Sequence, residues 1–394
     1  MSAASIAGAA FLADPAFRKV IAAIEQDGDR ARVVGGAVRN TLIGEPVDDV
    51  DIATTATPDV VAARVAAAGL KAVPTGIDHG TVTVVAMHRA FEVTTLRADV
   101  ETDGRRAVVA FSRDWDGDAR RRDFTMNAVY ADADGTLHDS VGGVADALSG
   151  RVRFIGDPRQ RIEEDYLRIL RFFRFHARYG RGEPDPVGLA AVISLGDGLD
   201  RLSRERVGAE MRKLVTAGGA GPALAIMDEA GLIDRILPGG GKVERFAAAV
   251  ALAARHGLSL GLEPRLAALA VEREGLMAAL RLSGREARLI EAIVSWSGEF
   301  SVRTDAAAIR TAVIRAGNEV AVAALILLVA GTGIEPPADL LRLAGDFRPP
   351  ESPVTAARLI AEGYKPGPAL GAELRRREAA WIAAGCPAEL PPGD

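Results

Sequence analysis

RVVGGAVRNTLIGEPVDDVDIATT, residues 32 to 55, is the stretch on which the reading of this chain turns. A β-branched run ends in Gly35 and Gly36, a helical spacer follows, and Asp49 and Asp51 stand two apart on a second strand-like run. Residues at i and i+2 on a strand share a face. The two carboxylates can therefore share hard divalent cations such as Mg²⁺, which favour carboxylate oxygens. That arrangement suits phosphoryl transfer, in which one metal lowers the pKa of an attacking hydroxyl and another neutralises the leaving pyrophosphate. Gly35 and Gly36, just after a strand, let backbone N–H groups approach a triphosphate, and Arg39 can add a charge-assisted contact. Taken singly, a D-x-D is ordinary on a solvated strand end and a GG pair is usually only a turn. In this order and a dozen residues apart they are far more specific. The spacing fits neither G-x-G-x-x-G nor G-x-x-x-x-G-K-[ST], which excludes a Rossmann or P-loop reading.

Around this stretch the first third of the chain alternates short β-type runs with turns. GTVTVVAM (80 to 87), FEVTTL (91 to 96) and AVVAF (107 to 111) read as further strands. PDVVAARVAAAGL has helical spacing, with Thr57 as N-cap and Pro58 at the first position. From Asp157 onward strand signals nearly vanish and amphipathic stretches recur between Gly and Pro breaks at 181 to 186, 237 to 241 and 331 to 337. The fold class is α+β: a small head with a mixed or antiparallel sheet, then an all-helical remainder.

Three further groups carry chemistry. Glu92, on the strand FEVTTL, can orient an attacking 3′-hydroxyl or help hold a metal, or can be a solvated strand glutamate. In DARRRDFTMNAVY (118 to 130), Arg122 offers a cation for phosphate, Asp123 a carboxylate for sugar hydroxyls and Asn127 an amide for either. In EEDYLRILRFFR (163 to 174), read as one helix, Asp165, Arg168, Arg171 and Arg174 recur every three residues. Asp165 and Arg168 are then neighbours on one face, while Tyr166, Ile169, Leu170 and Phe173 supply a buried side. By itself that pattern reads as a surface ion pair over core aromatics.

Composition sets the outer bounds. With 394 residues, 48% hydrophobic and 26% charged, the chain is too long for one core and should form two to four domains. A net charge of −5 argues against a surface that coats nucleic acid broadly. The arginines nonetheless bunch at 120 to 122, 159 to 178 and 201 to 212, a basic strip able to hold RNA. A single cysteine, Cys386, leaves no intrachain disulfide and no cysteine-based zinc site. With no signal-like start and no apolar stretch of membrane-spanning length, a cytoplasmic protein is expected.

GGAVRN, DVDIATT, RRDFTMNA, DSVGGVADALSGRVRFIGDP, EEDYLRILRFFRF and SRERVGAEMRKL, in this order, resemble class II tRNA nucleotidyltransferases, the family of CCA-adding enzymes and bacterial poly(A) polymerases. The likeness covers residues 30 to 215, with a weaker echo in YKPGPALGAELRRREAAWI (364 to 382). It implies a nucleotidyltransferase head over residues 1–138, a base-recognising neck over 139–220, and an RNA-binding body and tail over 221–336 and 337–394. Asp49 and Asp51 would bind two Mg²⁺ ions, Gly36 and Arg39 would contact the nucleotide, and Arg122 with Asp123 would hold triphosphate and ribose. Asp165 and Arg168 would read the base edge, supported by Arg171 and Arg174. A carboxylate and an arginine together satisfy the Watson–Crick edges of cytosine and adenine and leave uracil and guanine unpaired. The implied reaction extends the 3′ end of tRNA with CTP and ATP, and the helical remainder would grip the acceptor arm and elbow.

The chain departs from the family pattern in two places: Asn40 replaces the aspartate of G-G-x-V-R-D, and Asp48 stands where a basic residue often precedes D-x-D. The His-Asp pair of an appended phosphohydrolase domain is lacking, and His79 reads as a loop residue. PTGIDHGTVTVV (74 to 85) is closer to CCA-adding members than to the arginine-rich stretch of poly(A) polymerases, and residues 97 to 118 resemble the loop of full CCA enzymes. Poly(A) addition, partial CC or A addition, and an RNA-binding protein with an inactive head are the competing readings. The intact Asp49, Asp51 and Arg122 weigh against the last, since crowded like charges are costly to keep.

Overall fold

A computed structural model describes residues 5–76, 80–98, 110–272, 274–334 and 337–388, and the chain divides into two units, Met1–Arg201 and Leu202–Asp394. His79, most of the loop expected between residues 97 and 118, and the end of the chain past residue 388 lie outside the described residues.

In the first unit the strands are β1 (Ala31–Val34), β2 (Asp51–Thr54), β3 (Lys71–Gly76), β4 (Thr81–Ala86), β5 (Arg89–Thr95), β6 (Arg97–Ala98), β7 (Ala110–Phe111), β8 (Tyr130–Ala131) and β9 (Leu137–His138). Seven form one sheet in the order β3-β4-β5-β2-β1-β8-β9, and β6 pairs with β7. β2 and β5 run parallel while the other pairs are antiparallel, so the sheet is mixed, as the sequence predicts. Helices α1 (Pro15–Ile24), α2 (Gly36–Ile43) and α3 (Pro58–Ala67) accompany it. Phe17, Val20, Ile24, Val61 and Val65 pack with Ile52, Val84, Phe91 and Val93 in one core. Each such fully buried side chain stabilises by about 1.5–3 kcal/mol. Along β5 the alternation buries Phe91, Val93 and Thr95 and leaves Glu92 exposed on the other face. Thr57 does occupy the N-cap of α3 with Pro58 after it, but its side chain makes no capping hydrogen bond.

The remaining helices of this unit are α4 (Trp115–Arg120), α5 (Gly143–Ser149), α6 (Pro158–Glu164), α7 (Leu167–Tyr179) and α8 (Pro186–Ser194). Phe124 pairs with Phe154 in an isolated bridge, and their rings meet those of Phe172 and Phe175 on α7. This cluster fixes the RRDFTMN segment against α7. The expectation of one helix through residues 163–174 is corrected: α6 ends at Glu164, and Asp165 is extended at φ −158°, ψ 102°. Two effects make the break, one local and one from a residue distant in the chain. The Asp165 carboxylate accepts from Leu167 N at 3.1 Å, offering the backbone an alternative to helix. The Tyr166 ring also lies against Gly198, where an added Cβ would lie 1.8 Å from it.

The second unit is helical: α9 (Arg204–Val215), α10 (Ala220–Glu229), α11 (Val243–Arg255), α12 (Leu262–Leu269), α13 (Leu276–Leu280), α14 (Gly284–Glu299), α15 (Ala306–Ala316), α16 (Asn318–Thr332), α17 (Ala338–Asp346), α18 (Ala356–Ala361) and α19 (Pro368–Ala383). α16 is apolar on every side and packs against α11, α14, α15 and α17, so it is the buried axis of the unit. Trp381 on α19 is buried with Val354, Ile382 and Cys386. Among the described residues no helix is long and apolar enough to cross a membrane.

Candidate active site

The site is built where β1 ends and β2 begins. Val34, the last residue of β1, pairs with Asp51, the first of β2, and Asp51 pairs in turn with Glu92 on β5. Asp49 is not on the strand, as the sequence suggested, but two residues ahead of it. The alternation still holds: Asp49 and Asp51 are exposed while Val50 and Ile52 are buried. Asp51 titrates above the ordinary carboxylate range, chiefly because it is partly desolvated, then because of Glu92 and Asp49, with Arg122 partly offsetting them. Among the described residues no three carboxylates or imidazoles form a cage that would hold a metal unaided. Two exposed carboxylates two residues apart nonetheless suit Mg²⁺, which commonly takes one or two protein carboxylates together with substrate phosphates.

Gly35 is the turn between β1 and α2, at φ +72°, ψ −121°, a conformation that only glycine adopts readily. A Cβ there would lie 3.8 Å from the Asn127 carbonyl and 4.0 Å from Arg122 Nη1, so the turn is bare backbone facing a guanidinium. The first N–H groups of α2 open beside it, a favourable position for an anion. Arg122 is held from behind: Nε and Nη2 donate to Asp118 Oδ2 at 3.3 and 3.1 Å, and Nε also to the Tyr130 hydroxyl at 3.1 Å. The same hydroxyl donates to Asp118 Oδ2 at 2.7 Å. Asp118 is 2% exposed; its burial is outweighed by Arg122, Arg121 and Tyr130, and the carboxyl titrates below its usual range. Sequence reading missed Asp118 and Tyr130, although Asp118 stands four residues before Arg122 at ion-pair spacing.

Arg39 differs in placement from the expected open triphosphate contact. It is 6% exposed, with Nη1 donating to Asn127 Oδ1, Nη2 to Asn40 Oδ1 at 2.9 Å and to the Tyr179 hydroxyl at 2.7 Å, and Nε to Asn40 Oδ1 at 3.2 Å. Its guanidinium lies 4.0 Å from the Tyr179 ring centre. Gly36 stands above it, a Cβ there being 3.8 Å from Arg39 Nη2. Asn127 continues the chain, its Nδ2 donating to Asp123 Oδ1 at 3.0 Å, and Asp123 is paired with Arg171 through Nε at 2.8 Å. Asp123 is buried, but Arg171, Asn127 and the Phe124 N–H together hold its carboxyl low. Asn40, the departure from the family pattern, accepts from Arg39 and donates through Nδ2 to the Pro46 carbonyl at 2.7 Å. An ionised aspartate could not make that second bond.

On the other side of the helix break, Arg168 Nη1 donates to the Arg161 carbonyl at 2.7 Å and to Glu164 Oε2 at 2.6 Å, and Nη2 to the Arg121 carbonyl at 3.3 Å. Asp165 and Arg168 are joined through backbone, Arg168 N to Asp165 O at 3.0 Å, rather than by the shared helical face expected of them. Arg174 lies over the Phe175 ring at 4.4 Å. Glu164, tied to both Arg161 and Arg168, is a further residue that the sequence reading passed over.

Residues 31–153 match the family model described as Poly A polymerase head domain, and residues 183–241 the one described as Probable RNA and SrmB- binding site of polymerase A. The chain is 44% identical over 217 residues to the mitochondrial CCA tRNA nucleotidyltransferase 1 of Danio rerio, covering 54% of this chain and 50% of that protein. It is 40% identical over 224 residues to the CCA-adding enzyme of Geobacillus stearothermophilus, covering 56% and 54%. The chain thus spans about half the length of the curated relatives it matches. The fold matches that of the Thermotoga maritima CCA-adding enzyme complexed with tRNA at a TM-score of 0.69, with 17% identity, over 99% of this chain and 96% of that one. The crystal structure of the Bacillus stearothermophilus CCA-adding enzyme in complex with CTP matches over 94% of both chains, with a TM-score of 0.74 and 30% identity. With a likeness of that extent added to the head match and the motif order, the chain belongs to the family of CCA-adding enzymes and poly(A) polymerases.

Proposed function

We propose that the protein adds CCA to the 3′ end of tRNA without a nucleic-acid template, using CTP and ATP and releasing pyrophosphate. The observation that carries this reading is the meeting of exposed Asp49 and Asp51 with the bare Gly35 turn and Arg122 at one end of the sheet. The names of the relatives, and the CTP complex matched at 30% identity, support the choice of reaction within the family.

Two Mg²⁺ ions held by Asp49 and Asp51 would activate the attacking 3′-hydroxyl and balance the charge of the leaving pyrophosphate. Gly35, Gly36 and the start of α2 present backbone N–H groups to the triphosphate, and Arg122 adds a fixed cation. Glu92, beside Asp51, orients the attacking hydroxyl. Asp123 and Asn127 serve the ribose side, with Arg39, Arg171 and Arg174 holding the pocket from behind. Asp165 and Arg168 select the base: the carboxylate accepts from an exocyclic amine and the arginine donates to a ring nitrogen, so protein groups replace a template. Residues 139–220 serve as neck and the helical remainder as body and tail, binding the acceptor arm and elbow. A cytoplasmic location accords with the lone cysteine.

The test is Asp49→Ala assayed with Mg²⁺, tRNA and labelled CTP. Incorporation disappears while tRNA affinity persists if the head is catalytic. Equal incorporation in both proteins, or none in the unsubstituted one, overturns the proposal, and the latter result favours an RNA-binding protein with an inactive head.

A further inference from the structure

We infer that Asp118 and Tyr130 are positioning residues that aim one edge of the Arg122 guanidinium at the bound triphosphate. The inference rests on the nucleotide-binding reading of the site. Arg122 has three donor nitrogens. Nε and Nη2 are taken by Asp118 Oδ2, and Nε also by the Tyr130 hydroxyl. Nη1 has no protein acceptor among the described residues and lies 4.0 Å from the point where a Gly35 Cβ would stand. A guanidinium is planar, so fixing one edge fixes the direction of the other. The held edge is itself rigid. Asp118 is 2% exposed and its other oxygen is bonded to Arg121 Nε at 2.9 Å and to the Arg97 N–H at 3.3 Å. Tyr130 is 2% exposed, sits on β8 next to Val34 of β1, and packs edge-on against Trp115. Tyr130 thus links the arginine to the strand that carries the Gly35 turn.

Tyr130→Phe removes one hydroxyl and keeps the ring packing, whereas Asp118→Asn keeps the shape and removes the charge. Releasing the held edge of Arg122 weakens its own charge-assisted hydrogen bond to the triphosphate, which is worth about tenfold in binding. The KM for CTP and for ATP should therefore rise about tenfold in Asp118→Asn, and less in Tyr130→Phe. The inhibition constant of inorganic tripolyphosphate, which has no base or ribose, should rise in parallel while that of cytidine stays unchanged. In an Arg122→Ala background neither substitution should weaken tripolyphosphate further, a non-additivity that a merely structural role would not give. If the unsubstituted protein extends tRNA and Tyr130→Phe, with an unchanged melting temperature, keeps its KM and tripolyphosphate inhibition, the inference fails alone. If the unsubstituted protein extends nothing, the functional reading beneath it has failed instead.

Discussion

Asp51 and Glu92 are direct partners in the register of the parallel strands β2 and β5, with both carboxylates on the exposed side. Partial burial, Glu92 and Asp49 together raise the pKa of Asp51 despite Arg122, so its charged form is disfavoured in the folded chain relative to the unfolded one. Like charges on neighbouring strands are destabilising by up to about 1 kcal/mol. Asp51→Asn should therefore abolish nucleotide incorporation without lowering the melting temperature of the metal-free protein. A clear drop in melting temperature would show that the carboxylate is structural.

Gly35 gives a second check. Its φ of +72° and ψ of −121° strain any side chain, although the space around it is open to 3.8 Å. Gly35→Ala should cost about 1–3 kcal/mol from backbone strain and weaken triphosphate binding by turning the N–H groups away. Denaturant titration and CTP binding read the two effects separately, and a variant normal in both would contradict the assigned role.

The links from Arg39 to Asn127, Asp123 and Arg171 tie α2 to α7. Asp123 is 8% exposed, so Asp123→Ala removes a buried carboxylate that Arg171, Asn127 and the Phe124 N–H all bond, and should destabilise by about 3 kcal/mol. Combined with Arg171→Ala the loss should be less than additive. Additive losses in a double-mutant cycle would mean that the pair carries no coupling.

The second unit supplies a pH test. Glu286 closes a capping box with Ser283 at the start of α14, and its hydrogen bond with Arg212, helped by Ser283, holds its pKa at about 2 against an ordinary 4.5. A depressed folded pKa stabilises fully above the unfolded value, and the contribution is lost as pH falls towards the folded one. Unfolding followed by circular dichroism should show Glu286→Gln weaker than the unsubstituted protein above about pH 4.5, with the two converging towards about pH 2. A constant gap across that range would contradict the assignment.

The sequence made the head legible because each of its signals is local. The GG pair, the D-x-D and the alternation of FEVTTL correspond to the Gly35 turn, the edge of β2 and the exposed Glu92. The short strands β8 and β9 were not read, since two residues of strand carry no periodicity of their own, and β3 was passed over because Pro74 and Gly76 interrupt its run. The break at Asp165 was hidden because one of its causes, Gly198, is distant in the chain, and helical spacing runs on through the gap. Arg39 was read as facing substrate for the same reason: its partners Asn127 and Tyr179 are 88 and 140 residues away. Asn40 shows the reverse case, where a residue noted only as a departure has a clear role in bonding the Pro46 carbonyl.

The decisive experiment is incubation of the protein with Mg²⁺ and tRNA ending at the discriminator base, with the products sized at single-nucleotide resolution. CCA addition gives two additions with CTP alone, a third only when ATP is also present, and none with UTP or GTP. A long ladder with ATP alone would indicate poly(A) addition and contradict it, as would the absence of any extension.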